Sequence, residues 1–384
     1  MRPARKATHL LRSLLHRPHD RVLRQDEIHS LLLVELTRLG DALSTLPAVA
    51  ALAGRFPAAR IHMLVDDRYA SLIGAFDLNV VVHGIRASDS AAGILSAMRL
   101  ARRLRADVAC SMSPAKRNVM VALGSGAPRK AGYLKSAGEL VHFGTSRDVE
   151  ARGFARAVPV FPPGNNIELR ALRVSAALGM SECPPHVPLR VKEESILGIR
   201  TRLQERGTIP RQPYVVIHPF SGWAYRSWRL PNFITLSSML RSRRGIDTLF
   251  LFSRHEERLW ISPGDGHGAW EGARVFMSDN LLESAVAIQG ARLFIGNDSG
   301  PLHLAASLGV PRVGLFGPSS PALTGPLAGR GIHLYRPVGC SPCRQHRCVR
   351  PTHTCMDLLS VEEVYITVCR ELEMIRPFSI PAHA

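Results

Sequence analysis

Three short stretches put reactive side chains next to glycine or proline, where a backbone can approach a ligand. In "GNDSGPLH" (296–303), Asp298 is followed by Ser299, Gly300, Pro301 and His303. Ser299 or Gly300 suits a helix cap and Pro301 its first turn. A helix beginning there turns backbone N–H groups and the positive end of its dipole toward an anion, and glycine lets that anion come close. A diphosphate fits, with His303 as an added donor. An ordinary capped strand–turn–helix junction would use the same residues. In "ELTRLGDALSTLP" (35–47), Gly40 and Asp41 stand where an apolar run turns into a helical pattern. Asp41 is either a helix cap or a general base that takes a hydroxyl proton. In "HPFSGWAYRSWRLP" (218–231), Arg226 lies among Trp223, Tyr225 and Trp228, a composition suited to a phosphate clamp shielded from water. No Gly-x-Gly-x-x-Gly follows the first apolar run, which disfavours hydride transfer from a dinucleotide.

A fourth cluster lies in "CSPCRQHRCVRPTHTC" (340–355), which holds four of the seven cysteines: Cys340, Cys343, Cys348 and Cys355. The spacing C-x2-C-x4-C-x6-C resembles a small structural zinc knuckle, in which His346 or His353 could replace a thiolate. Two disulfides or free thiols are the alternatives. Four protein ligands would close the metal to substrate, so a catalytic role is not expected. Cys110, Cys183 and Cys369 read as packing residues.

These residues need a frame, and the hydrophobic pattern supplies one. "SLLLVE" (30–35), "ARIHMLVDD" (59–67) and a run near 107–111 read as buried strands separated by helical patterns. Proline and glycine crowd residues 179–213, in "GMSECPPHVPLRV" and "RGTIPRQP", which bracket one short helix. The alternation then restarts with "YVVIHPFSG" (214–222), a helix near 231–243, "IDTLFLFS" (246–253), "RLFIGND" (292–298) and "PRVGLFG" (311–317). A last helical pattern, "SVEEVYITVCRELEMI", follows. Alternating strand and helix implies parallel sheets covered on both faces. The expected division is a basic extension 1–29, a doubly wound domain 30–180, a linker 181–212, a second such domain 213–360 and a terminal helix and tail 361–384. Open α/β sheets bind ligands outside the carboxyl ends of their strands, and the three reactive stretches fall there.

Taken in order, "RLGDALSTLP", "HPFSGWAYRSWRLP" and "GNDSGPLHLAASLGVPRVGLFGPSSP" resemble glycosyltransferase family 9, the bacterial lipopolysaccharide heptosyltransferases, over roughly residues 30–370. The resemblance implies the GT-B architecture, two Rossmann-like domains facing across a cleft, with the sugar nucleotide held mainly by the second. It implies an inverting, metal-independent transfer of heptose from ADP-heptose to the lipopolysaccharide core, with no catalytic cofactor. Carried onto this sequence, Asp41 matches the base and Arg226 a basic position near the donor phosphates. Asp298, Ser299, Gly300 and His303 match the donor-binding junction, and Glu256 or Glu257 an acidic residue on the nucleotide ribose. The alternatives are a family member using another nucleotide sugar and a sugar-nucleotide-binding protein without turnover.

Composition narrows the partners. With 46% hydrophobic and 21% charged residues the chain reads as globular. No apolar run approaches the roughly 18–20 residues that span a bilayer. The net charge of +18 favours anionic partners. Residues 1–24 carry seven Arg or Lys against one acid, Asp20, with Leu10, Leu11, Leu14 and Leu15 on one helical face. The expectation is a cytoplasmic protein held peripherally at the inner face of the cytoplasmic membrane. Aromatic residues amount to only 6%, with no interleaved basic and aromatic platform, so nucleic acid is not an expected partner.

Overall fold

The computed structural model describes residues 27–86, 88–132, 134–135, 148–149, 166–168, 171, 174, 178, 190–210, 213–254, 256, 273–343, 348–350, 352 and 354–375. The basic segment 1–26 lies outside them, as do Glu257, His346 and His353. The chain divides into two compact units, Met1–Pro185 and His186–Ala384.

In the first unit, strand β1 (Ser30–Glu35) is the run Leu31–Val34, each residue fully buried. Burying each such side chain contributes about 1.5–3 kcal/mol, which drives the run to the sheet centre. Helix α1 (Leu39–Arg55) follows after a three-residue turn, with Ala42, Leu43, Leu46, Val49 and Leu52 buried at helical spacing. Then come β2 (Arg60–Asp66), α2 (Asp67–Ala75), β3 (Val81–Ile85), α3 (Ala91–Arg103), β4 (Val108–Ser111), α4 (Lys116–Gly124) and β5 (Arg129–Gly132). These five strands are parallel, in the order β3-β2-β1-β4-β5, and a separate antiparallel pair joins Leu134–Lys135 to Asp148–Val149. One core packs Leu32, Val34 and Ala109 against Ile94, Ala97 and Val121 of α3 and α4.

The second unit opens with α5 (Glu193–Glu205), which falls inside the stretch expected as linker. It is tied to this unit through Arg200, whose Nη2 donates to Gln289 Oε1 at 3.1 Å. The rest is β6 (Tyr214–His218), α6 (Leu230–Arg244), β7 (Asp247–Ser253), β8 (Arg274–Ser278), α7 (Leu281–Gln289), β9 (Leu293–Asn297), α8 (Gly300–Ser307), β10 (Arg312–Phe316), β11 (Gly331–Tyr335) and α9 (Val361–Met374). Its six strands are parallel in the order β8-β7-β6-β9-β10-β11. Helix α9 is no appendage, since Val364, Val368 and Leu372 belong to the same core as Val215, Phe250 and Ile295.

Each sheet reverses its winding between its first and fourth strands, at β1/β4 and at β6/β9. Helices cross to opposite faces at such a point, and a crevice opens outside the carboxyl ends. At the second one, Gly296 is opposite His218, and a Cβ on Gly296 would lie 2.9 Å from the His218 carbonyl oxygen. Glycine there keeps the two strand ends close.

Candidate functional site

At the β6/β9 point, the last residue of β9 fastens the site together. Asn297 is fully buried. Its Oδ1 accepts from the Trp228 backbone N–H at 2.9 Å, and its Nδ2 donates to the Pro219 carbonyl at 2.6 Å. That pair of bonds holds the loop carrying Arg226 against the end of β9. Arg226 ends a single 3-10 turn, Ala224–Arg226. The structure brings together two residues expected to act at the donor. Arg226 Nη1 lies 3.4 Å from Asp298 Oδ2 and donates to the Asp298 carbonyl at 3.4 Å. Asp298 Oδ2 also accepts from Ser319 Oγ and, at 3.1 Å, from Thr324 Oγ1. Arg226 and Asp298 are both buried, so the guanidinium is oriented before any ligand arrives.

Ser299 precedes α8 in extended conformation, yet its hydroxyl makes no cap bond. Its Oγ is buried and has no hydrogen-bond partner among the described residues. Leaving a buried polar atom unsatisfied costs about 1–3 kcal/mol, which a ligand's polar atom would recover. Gly300 begins the helix and His303 lies one turn in, buried. His333 on β11 completes the group. Burial, then Arg312 and His303, hold its imidazole down at about 4, against the pull of Asp298.

Other expected residues behave differently. Glu256 follows β7 with both oxygens engaged: Oε2 accepts from Ser253 N at 2.9 Å and Oγ at 2.8 Å, and Oε1 lies 3.3 Å from His218 Nε2. Burial works to raise its carboxyl, but His218 and the Ser253 bonds outweigh it and hold it at about 2. Trp228, expected as a water shield, is a core residue instead. It is 1% exposed, packs edge-on against Phe233 and donates Nε1–H to the Leu359 carbonyl at 2.8 Å. Trp223 and Tyr225 are half-buried.

In the first unit, Asp41 occupies the first turn of α1, half-buried, and its Oδ2 accepts from the Arg38 backbone N–H at 3.4 Å. Sequence reasoning missed its neighbour Glu35, the last residue of β1, which is 1% exposed. Burial, then the Asp41 charge, push the Glu35 carboxyl up to about 7, against hydrogen bonds from Thr37 and Asn118 and the nearby Ser113 hydroxyl. Ser319 and Thr324 were also missed as site residues, although "GPSSP" holds the first.

The four clustered cysteines approach one another. Cys355 is buried, and its thiol is raised by burial and then by Cys343, Cys340 and Cys348. All four are free thiols. Among the described residues no group of three or more His, Cys, Asp or Glu is placed to hold a metal ion, so the expected zinc gains no support there.

Two doubly wound parallel sheets in one chain, each with its own reversal point, are the fold of the GT-B class. Residues 98–353 match the family described as Glycosyltransferase family 9 (heptosyltransferase). The chain belongs to glycosyltransferase family 9. It is 31% identical over 144 residues to lipopolysaccharide heptosyltransferase 1 of Pseudomonas aeruginosa, a match covering 37% of this chain and 40% of that relative. The glycosyltransferase family 9 structure from Veillonella parvula superposes with a TM-score of 0.71 at 18% identity, covering 90% of this chain and 97% of that one. The E. coli ADP-heptose lipopolysaccharide heptosyltransferase II gives 0.67 at 17%, covering 90% and 98%. At those identities the structural likeness is one of fold.

Proposed function

We propose that this chain is an inverting glycosyltransferase that moves heptose from ADP-heptose to the lipopolysaccharide core, with no metal ion in the chemical step. The observation that carries the reading is the Arg226–Asp298 pair beside the unsatisfied Ser299 hydroxyl at the start of α8. Breaking the sugar–phosphate bond leaves negative charge on a diphosphate. Arg226 and the amino end of α8 offset that charge without a divalent cation. Asp41 takes the proton of the acceptor hydroxyl as the new C–O bond forms. One bond forms, one breaks, one proton passes to Asp41 and ADP departs. The ADP-heptose donor is named for the E. coli relative and comes to this chain by family membership. The zinc expected of the cysteines carries no part of the reading.

The acceptor is membrane-embedded, which suits a basic protein attached at the inner membrane face. Among the described residues no helix is long and apolar enough to cross a membrane. The basic segment 1–24 is the proposed contact.

The test is a thermal-shift panel of ADP, UDP, GDP and CDP, followed by transfer to a soluble core fragment with and without chelator. A ligand specific to the folded state stabilises by RT ln(1 + [L]/Kd), so ADP should shift melting and the others far less. Transfer should survive the chelator. Equal shifts from all four nucleotides would refute the donor, and chelator-sensitive transfer would refute the metal-independent step.

A further inference from the structure

Glu35 ends a strand whose preceding four residues, Leu31–Val34, are all apolar, and nothing in the proposed chemistry uses it. Its surroundings are fully determined. Oε1 accepts from the Thr37 backbone N–H at 3.1 Å, from the Thr37 hydroxyl, and from Asn118 Nδ2 at 3.1 Å. Asn118, fully buried on α4, also donates to Ser113 Oγ at 2.9 Å and accepts from the Leu36 N–H at 2.9 Å through Oδ1. The network therefore closes around residues 35–37 and sets where the turn into α1 begins. Asp41 lies within one turn of that start. The second carboxyl oxygen, Oε2, is buried and has no partner among the described residues.

An ionised carboxylate in that setting would leave one charged oxygen dry and unpaired, beside a second carboxylate. A protonated one keeps all three bonds at Oε1 and carries no charge. We propose that Glu35 is a positioning residue for Asp41, clamping the turn into α1 through Oε1 while a proton on Oε2 keeps a second negative charge away from the base. The inference rests on the reading of Asp41 as the base.

The charged neighbours are few. Asp41 on α1 raises the Glu35 carboxyl, whereas α4 and the loop before it present the neutral Asn118 and Ser113. Arg117, next to Asn118, is 3.4 Å from Asp89. At the adjacent end of β2, Arg68 is forked onto Asp66 through two 2.8 Å bonds. Tyr69 on α2, its phenol raised first by burial, also feels the Asp41 charge.

The experiment compares the full-length parent with Glu35→Gln and Glu35→Ala, in melting and in transfer, between about pH 5 and about pH 8. Gln keeps an acceptor at Oε1 and cannot ionise. A carboxyl raised to about 7 in the folded chain contributes stability that is present below its ordinary 4.5 and lost as pH rises through 7. The parent should therefore lose melting temperature relative to Glu35→Gln across that range. Parent turnover should fall above about pH 7, while Glu35→Gln should transfer within a few-fold of the parent near pH 6 and lack the decline. Glu35→Ala should lose transfer at every pH and keep its ADP affinity. Identical melting profiles for parent and Glu35→Gln would overturn the proposal. So would a tenfold or greater loss of transfer by a folded Glu35→Gln near pH 6. If the parent itself transfers nothing, the base assignment fails, and the melting comparison still decides whether Glu35 holds a proton.

Discussion

The two units share a strand order around their reversal points and differ in what they place there. The first unit ends β1 with Glu35, follows it with Asp41, and surrounds them with Thr37, Ser113 and Asn118. Its electrostatics come from carboxyl groups and neutral donors. The second ends β9 with Asn297, follows it with Asp298, and sets Arg226 and two hydroxyls against the aspartate. A buried arginine aimed by a carboxylate is suited to a phosphate, and a carboxylate on a neutral network is suited to a proton. One scaffold thus presents opposite chemistry at its two reversal points. The strand ends are fixed by burial, and the side chains standing on them are free to vary.

The sharpest way to break this comparison is to remove the proposed base. Asp41→Asn keeps shape and removes charge, and loss of a positioned base typically lowers rate by about 10²–10⁴-fold. Turnover should fall by that much while ADP affinity stays unchanged, because the ADP contacts are assigned to the other unit. Steady-state kinetics and calorimetric titration with ADP check both halves. Near-normal turnover would remove Asp41 from the mechanism.

The converse change is Arg226→Ala. Hydrogen bonds to charged groups contribute about 1.5–3 kcal/mol, so ADP affinity should drop by about 10–100-fold. Asp298 would keep Ser319 and Thr324 but lose its ion pair, and breaking a buried pair destabilises by about 3–5 kcal/mol. Melting without ligand should fall as well. Unaltered ADP binding by a folded variant would assign Arg226 to structure alone.

How much of this was legible beforehand follows the same division between frame and side chains. Every strand readable as a buried apolar run is interior to its sheet. The strands that escaped, Val81–Ile85, Arg129–Gly132, Arg274–Ser278 and Gly331–Tyr335, are the edges of the two sheets. Only Ala131 and two residues of Arg274–Ser278 in them are buried, so their hydrophobic pattern is broken. Edge strands face solvent on one side and need no continuous apolar sequence. At the site, Asp41, Arg226 and Asp298 stand in Gly- and Pro-rich turns whose composition announces them. Glu35 does not: a glutamate closing a strand looks like a boundary residue. Its partner Asn118 lies more than 80 residues away, so only the fold reveals the pair. Trp228 errs in the other direction, since proximity to Arg226 in sequence suggested a shield while its ring points into the core.

A pH-based test sharpens the contrast between Glu35 and the buried carboxylate of the second unit. The Glu256 carboxyl, held at about 2, contributes stability that is present above its ordinary 4.5 and lost as pH falls through 2. Glu256→Gln should flatten that acid-side loss and leave the profile above about pH 5 unchanged. Chemical denaturation across acid pH would measure it. The two glutamates thus act in opposite directions, one steadying its unit as protons bind and the other as protons leave. An acid profile unmoved by Glu256→Gln would mean that the carboxylate is not held by His218 and Ser253.

The smallest expected effect probes how redundantly Asp298 is held. Thr324 Oγ1 is the more peripheral of its two hydroxyl partners, at 3.1 Å and half-buried, whereas Ser319 is 2% exposed. Thr324→Val keeps volume and removes one donor, leaving Asp298 with Ser319 and Arg226. A typical intramolecular hydrogen bond contributes about 0.5–1.5 kcal/mol net, and Asp298 retains partners, so the lower end applies. For a unit of this size that is about 1–4 °C in melting temperature. Ser319→Ala should cost more, because it leaves a buried carboxylate oxygen short of its best-shielded donor. Arg226 aims its guanidinium through Asp298, so ADP affinity should follow the same order: Thr324→Val nearly unchanged, Ser319→Ala weaker, Arg226→Ala weakest. If Thr324→Val instead abolished ADP binding, the hydroxyl would have to contact the nucleotide itself, and Asp298 would not be the element that organises this end of the sheet.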